Sequence, residues 1–342
     1  MAENYYKGKK ILVTGGVGSI GSQLVRKLLT LDPAIIRVLD NNETGLFDLE
    51  QDLHSNKIRT LVGDIRDKER LVVAMDGIDF VFHASALKHV PLCEYNPFDA
   101  VKTNVLGTQN VLEAALAQEV EKVINVSTDK AVSPTNVMGA TKLLAERLTI
   151  SANYYRGNKR TIFSSVRFGN VLNSRGSVIP LFLKQIRDGG PVTLTDEDMT
   201  RFFMDIPTAV DLIITANRIA KGKEIYILKM PAIKILDLAE VMIEQYAPKF
   251  GHSPKDIKIK IIGKRNGEKL YEELITEEDA ERAYECEDLI IIHPQTLWYE
   301  EPAKIPSDEQ CIKSTMKSYS SSKVPLLTKD QIRDTLSTII QL

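Results

Sequence analysis

Between a short apolar run, Lys10–Thr14, and a helically spaced segment over 19–31 lies Thr14-Gly15-Gly16-Val17-Gly18-Ser19-Ile20-Gly21. Few local patterns restrict a fold as strongly. When a strand enters a helix through glycines at 15, 18 and 21, the first allows a tight turn. The second lets a pyrophosphate approach the backbone, and the third lets the helix pack closely on the sheet. The helix N-terminus then presents unpaired N–H groups, in the stretch of Ser19 and Ile20, and a partial positive charge to phosphate. Ile20, Leu24, Leu28 and Leu31 share one helical face. A glycine triplet alone also fits a plain turn. With a strand before it and a helix after it, the stretch predicts the first βαβ unit of a dinucleotide-binding domain.

The rest of the first half repeats the alternation. Strand-like runs at Ile35–Asp40, 59–62, 80–84 and 123–127 are separated by helical stretches, including one over 98–117. Such alternation predicts an α/β fold with a doubly wound parallel sheet covered on both faces, its ligand sites at the carboxyl ends of the strands. Beyond residue 171 the regularity weakens into a loop over 169–180, helices at 208–220 and Ile235–Tyr246, strands at 224–228 and 256–262, and a last helix at 328–340. The expected division is a dinucleotide-binding domain over 1–171 and 206–229. A smaller C-terminal α/β substrate domain follows over 172–205 and 230–300, with a C-terminal extension over 301–342.

Composition narrows the partners. A net charge of −2 with no basic block argues against nucleic acid as the main ligand. Cys93, Cys286 and Cys311 are far apart and lack metal-ligand spacing, so reduced thiols are expected rather than a disulfide framework or a zinc site. The first ten residues are polar, and no apolar run approaches the roughly 18 residues of a membrane span. The expectation is a cytoplasmic protein without membrane insertion.

Within the first domain, Asp40 ends the second strand. A carboxylate there accepts hydrogen bonds from the adenosine ribose and repels a 2′-phosphate, which favours NAD over the alternative, NADP. Its bland role is to start the next helix. Asp64 and Ile65 follow the third strand, where the acid meets an adenine amino group or simply opens a helix. Ala84, Ser85 and Ala86 follow the fourth, small enough for a cofactor to lie on the backbone or for plain close packing. The fifth strand ends in Ser127-Thr128-Asp129-Lys130, and a helix over 136–153 carries Met138 and Lys142 one turn apart on one face.

The glycine loop, Asn104-Val105-Leu106-Gly107-Thr108 and the Lys142 helix resemble the extended short-chain dehydrogenases/reductases. Ala86-Leu87-Lys88-His89-Val90-Pro91, Ser127-Thr128-Asp129-Lys130-Ala131, Arg167-Phe168-Gly169-Asn170-Val171, Ser174-Arg175-Gly176-Ser177, Met199-Thr200-Arg201-Phe202 and Gly267-Glu268-Lys269 more narrowly resemble UDP-N-acetylglucosamine 4,6-dehydratases of polysaccharide biosynthesis. The resemblance implies oxidation at sugar C4, loss of water across C5 and C6, and return of the hydride to C6. Asp129 is then the acid, with a raised pKa, and Lys130 the base, with a lowered one. In an arbitrary chain an Asp-Lys pair after a strand is an ordinary surface ion pair.

The resemblance further implies that Asn104 and Lys142 serve the cofactor and that Thr128 orients the C4 hydroxyl. Lys88, Asn170, Arg175, Ser177, Arg201, Arg265 and Glu268 are expected to hold the nucleotide sugar, with guanidinium groups, Arg167 included, suited to a diphosphate. Met138 stands where the wider superfamily has its catalytic tyrosine. A thioether is no base, which leaves Asp129, Lys130 or water to take the C4 proton, and it also suits a gap-filling core role. The methionine version of the motif most resembles configuration-retaining members. The competing readings are an inverting dehydratase/5-epimerase, a C4 epimerase, and a catalytically silent NAD-binding assembly protein. A UDP-linked N-acetylhexosamine substrate and a homo-oligomer are expected.

Overall fold

A computed structural model describes residues 2–174, 176–294 and 311–340. In chain order its strands are β1 Lys10–Thr14, β2 Ile35–Asp40, β3 Ile58–Val62, β4 Phe80–His83, β5 Lys122–Val126, β6 Ile162–Arg167, β7 Asn170–Val171, β8 Val192–Leu194 and β9 Thr200–Met204. They continue with β10 Ile225–Leu228, β11 Ala232–Lys234, β12 Ile259–Ile261, β13 Glu273–Ile275, β14 Ala283–Glu285, β15 Leu289–Ile292, β16 Ile312–Lys313 and β17 Tyr319–Ser320. Ten of them form one sheet in the order β16-β14-β15-β10-β6-β5-β4-β1-β2-β3. From β10 to β3 every pairing is parallel, as the alternating sequence predicts. The winding reverses between β1 and β4, so their carboxyl ends open a crevice suited to a ligand.

The two-residue period of the strands assigns side chains to opposite faces. Ile11, Val13, Phe80, Phe82 and Ile124 point to one side, against Leu24, Val25 and Leu28 of helix Ser19–Leu29 and Ile213 of helix Ile206–Ile219. Leu12, Val81 and Val123 point to the other, against Leu71 and Met75 of helix Lys68–Met75 and Val111 of helix Gly107–Ala117. With both faces covered, the central strands read as continuous apolar runs. The helix expected over 98–117 is interrupted: Pro97–Ala100 and Gly107–Ala117 flank a π-helical stretch, Val101–Leu106. Single π turns inside helices are uncommon and concentrate at functional sites. Here the stretch carries Asn104 inward.

The smaller part holds a three-stranded sheet β11-β9-β7 and the pairs β8–β12 and β13–β17. Helices Val178–Arg187, Ile235–Tyr246 and Lys329–Ile339 meet in its core through Ile179, Phe182, Leu238, Met242, Ile332 and Leu336. Two boundaries differ from expectation. β14 and β15, expected in the substrate domain, extend the large sheet, β15 pairing antiparallel with β10 and β14 antiparallel with β15. The expected extension is also shared out: β16 joins β14, β17 joins β13, and the last helix completes the small core. These contacts are long-range, and periodicity does not record them.

The cysteine expectation is overturned as well. Cys286 and Cys311 form a disulfide, while Cys93 is a buried free thiol. Glu285 pairs with Ile312 across the β14–β16 ladder, which sets the next two residues, Cys286 and Cys311, opposite each other.

Candidate active site

The glycine loop is built as its spacing requires. Gly15 has φ +67°, and a Cβ on it would lie 2.7 Å from the Ser85 backbone. A Cβ on Gly21 would lie 2.1 Å from the Gly15 carbonyl oxygen, so the helix touches the loop there. Gly18 meets only that same oxygen, at 3.2 Å, which leaves its outer side clear. The loop over Ala84, Ser85 and Ala86 leaves β4 directly against this cradle. Asp40 accepts from Val17 N–H at 3.2 Å and Asn42 N–H at 3.0 Å, while Asn42 caps the next helix through Gly45 N–H. Its carboxylate therefore belongs to the glycine loop, and the capping role falls to its neighbour.

Asp64, Ser85 and Leu87 border a second cavity of about 260 Å³ beside this cradle. Arg66 donates to the Asp64 carboxylate at 2.6 Å, and that hydrogen bond holds its pKa below the usual range. Asp67 caps the following helix, and Ile65 is buried against Gly107. A crevice lined by glycine backbone, a helix N-terminus and a carboxylate has the shape and donor set for a dinucleotide.

Asn104 does not face this crevice freely. Its side chain accepts from Leu87 N–H at 2.8 Å and donates to Leu87 O at 2.9 Å and Thr141 Oγ1 at 3.0 Å. It fixes the loop after β4 to the helix Val137–Tyr155. That helix starts at Asn136, whose side chain accepts from Gly139 N–H, while Glu94 accepts from Val137 N–H. Lys142 is buried and donates to the Val126 carbonyl at 2.7 Å; burial lowers its pKa to about 8. Met138 packs with Cys93, Ala100, Val90 and Val137, and so fills an apolar cluster.

The turn after β5 gathers the charged groups. Thr128 donates to Asp129 Oδ1 at 2.8 Å, and Lys130 Nζ donates to the same oxygen at 3.0 Å and to Asn170 Oδ1 at 3.3 Å. Asp129 is fully buried, and its Oδ2 has no hydrogen-bond partner. A further carboxylate completes the group: Glu272, 3 % exposed, sets Oε1 3.8 Å from Lys130 Nζ and 3.8 Å from Arg201 Nε, with Oε2 unpartnered. Burial, helped by the nearby Asp129, pushes the Glu272 carboxyl up against the pull of Lys130, Arg201 and Lys269.

The expected lowering of Lys130 is not found. Burial works in that direction, but Asp129 and Glu272 outweigh it, and the pKa is raised. Sequence reading missed Glu272. Its one local signal is the pair Glu272-Glu273 before an apolar strand, where alternation sends one acid inward.

The turn opens on a cavity of about 800 Å³ that Lys88, Lys130, Asn170, Ser177, Arg201, Arg265, Glu268 and Glu272 all border. The Ser177 hydroxyl, just before helix Val178–Arg187, is buried without a partner. Arg265 is exposed at the rim, its N–H bound by the Glu268 carboxylate at 3.1 Å. Arg201 departs from the expected diphosphate grip: it donates to the carbonyls of Thr200, Lys269 and Leu270, clamping the chain that leads to Glu272. Arg167 leaves the ligand-binding group altogether, for it is 2 % exposed and bound to Glu146, Asp279 and Leu274 O. Arg175 lies outside the described residues.

Comparisons with known proteins show the family of the chain. A family model described as polysaccharide biosynthesis protein matches residues 11–294. A Methanocaldococcus jannaschii protein described as an uncharacterized membrane protein is 59 % identical over 98 % of this chain and 97 % of its own length. A Campylobacter jejuni UDP-N-acetylglucosamine 4,6-dehydratase (inverting) is 44 % identical over 84 % of each chain. The crystal structure of Pen from Bacillus thuringiensis superposes with a TM-score of 0.90 at 44 % identity, covering 98 % of both chains. Among the described residues, no helix is long and apolar enough to cross a membrane.

Proposed function

The chain belongs to the polysaccharide biosynthesis protein family of extended short-chain dehydrogenases/reductases, and from that premise we propose that it is an NAD-dependent 4,6-dehydratase of UDP-N-acetylglucosamine, retaining configuration at C5. The observation that carries this reading is the Asp129–Lys130 pair, set after β5 with Lys130 facing a cavity of sugar-nucleotide size. At the coarser level it is a nucleotide-sugar enzyme of the dehydratase and epimerase kind.

NAD, when bound, supplies a hydride acceptor at C4 and a hydride donor at C6. Gly15, Gly18, Gly21 and the helix N-terminus hold its diphosphate, and Asp40 faces its ribose hydroxyls. Lys142, already positioned by Val126 O, holds the nicotinamide ribose. The sugar nucleotide enters the larger cavity, with Arg265, Ser177, Asn170 and Lys88 at its walls. The large-sheet part serves the cofactor and the smaller part the sugar nucleotide.

Once C4 is a ketone, the proton on C5 is acidic. Lys130, having passed one ammonium proton to Asp129 across the 3.0 Å bond, removes it as a neutral amine, and Asp129 gives that proton to the departing C6 hydroxyl, which leaves as water. Met138 is enclosed in its apolar cluster and brings no proton to the opposite face of the sugar. Lys130 therefore removes and returns the proton on one face, which retains the D-xylo configuration. The Campylobacter relative is named as inverting, so stereochemistry is the point on which the two readings separate.

The test is incubation of the purified protein with UDP-N-acetylglucosamine and NAD, followed by mass spectrometry and NMR. Loss of one water supports the reading. A change at C4 alone supports an epimerase, and an unchanged sugar supports a silent NAD-binding protein; either refutes a dehydratase.

A further inference from the structure

The wall of the larger cavity contains a bracket between the two parts of the molecule. The turn over 265–268 follows β12 of the smaller part, and the turn that carries Asp129 and Lys130 follows β5 of the large sheet. They meet at one carbonyl. Gly267 O accepts from Thr135 Oγ1 at 2.8 Å and from Asn136 Nδ2 at 3.0 Å, which occupies both of its lone pairs. Two residues on, Lys269 Nζ donates to Val132 O at 2.8 Å. Gly267 and Asn136 border the cavity, as do Arg265 and Lys130.

The joint is built for glycine. Gly267 has φ +75°, and a Cβ on it would lie 2.8 Å from Asn136 Cβ and 2.9 Å from Thr135 O. The 265–268 turn is closed on itself, for Glu268 N–H donates to Arg265 O at 3.0 Å and the Glu268 carboxylate accepts from Arg265 N–H at 3.1 Å. Across the joint, Asn136 Oδ1 accepts from Gly139 N–H at 2.8 Å. Gly139 is in turn seated on Lys130, where a Cβ would lie 2.3 Å from Lys130 O. A displacement at Arg265 therefore reaches the Lys130 main chain through Gly267, Asn136 and Gly139, each in contact with the next.

We infer that Thr135 and Asn136 are positioning residues, which hold the reactive turn in fixed relation to the groups that grip the nucleotide. The inference rests on the dehydratase reading, with the nucleotide end of the substrate at Arg265. That end undergoes no chemistry. Its binding energy speeds the reaction only where its anchorage is joined rigidly to the reacting groups. A misplacement of about 1 Å can cost about a hundredfold in rate. The Gly267 carbonyl supplies that rigidity across the cleft. Thr135 and Asn136 act through it, so loosening the bracket separates binding from turnover.

The experiment uses the double variant Thr135→Val, Asn136→Ser. Valine keeps the shape of threonine without its donor, and serine still caps the helix but is too short to reach Gly267 O. Turnover of UDP-N-acetylglucosamine, calorimetric affinity for UDP in the presence of NAD, and the urea midpoint are measured together. The variant should lose about ten- to a hundredfold in kcat. Its affinity for UDP should stay within about threefold of the wild type, and its urea midpoint should stay close to it. Thr135→Ser in place of Thr135→Val, which returns the hydroxyl, should recover part of the lost kcat. Gly267→Ala, which forces the joint apart, should show the same split.

A kcat of the double variant within about threefold of the wild type overturns the inference. So does an affinity for UDP that falls as far as kcat/KM, because the bracket then only builds the nucleotide site. A urea midpoint that falls in step with kcat across the variants assigns the contacts to stability alone and overturns it too. A wild type that binds no UDP, or releases no water from UDP-N-acetylglucosamine, overturns the dehydratase reading itself.

Discussion

Lys142 offers a direct test of how the protein handles a buried charge. The ammonium sits in the interior with one strong contact, the Val126 carbonyl at 2.7 Å, and burial lowers its pKa from 10.5 to about 8. One pKa unit corresponds to about 1.4 kcal/mol, so the displacement amounts to about 3 kcal/mol against the folded state whenever the lysine is charged. Below pH 8 both states are protonated and folding carries the full cost. Between pH 8 and 10.5 the unfolded chain keeps a proton that the folded chain has released, so this group makes stability rise with pH.

Other groups titrate in the same range, among them Tyr5, which burial raises to about 12 and whose effect runs the other way. The measurement is therefore a difference: urea unfolding of the wild type and Lys142→Met, without cofactor, from pH 7 to pH 10. Relative to the variant, the wild type should gain about 2–3 kcal/mol across that interval. Losing the bond to Val126 O shifts the variant by a constant and leaves the pH slope intact. A flat difference, or one that falls with pH, refutes a desolvated Lys142.

Three further outcomes follow from named contacts. Arg167→Ala strands Glu146 as a buried charge and leaves Asp279 to Arg282 alone, and should cost about 3–5 kcal/mol in urea unfolding, with much of the loss recovered when Glu146→Leu is added; a loss under about 1 kcal/mol contradicts the network. NAD⁺ should bind more tightly than NADP⁺ by calorimetry, and Asp40→Ala should narrow the gap by about tenfold, since a charge pair near a surface is worth about 1–4 kcal/mol; tighter NADP⁺ binding to the wild type sinks the role given to Asp40. Early product formed in D₂O should carry deuterium at C5 with D-xylo couplings in its NMR spectrum, whereas an L-arabino product removes the one-face role of Lys130.

The first half of the fold was legible in the sequence because its information is local. A strand, a glycine turn and a helix are encoded within a dozen residues, and β1 through β5 pair in parallel as the alternation predicts. Asp40, Thr128, Asp129, Lys130 and Lys142 stand where short motifs put them, at a strand end or on one helical face, and the roles expected of the last four came from the resemblance. The ionisation of these groups was not legible. A pKa depends on what surrounds a side chain: burial works to lower Lys130, and the adjacent Asp129 together with Glu272, which arrives from a far part of the chain, raises it.

Arg167 looked like a phosphate ligand because a guanidinium has the same valence for Glu146 and Asp279 as for a diphosphate. The Cys286–Cys311 bond and the sharing of the C-terminal segment between two cores depend on strand register across loops, which no spacing rule contains. The sequence by itself therefore determined the parallel sheet, the glycine turn into the first helix and the placing of Asp129 and Lys130 side by side after β5. Tertiary structure alone decided which charges are buried together, because desolvation and Coulomb attraction act through space between residues that the chain keeps far apart.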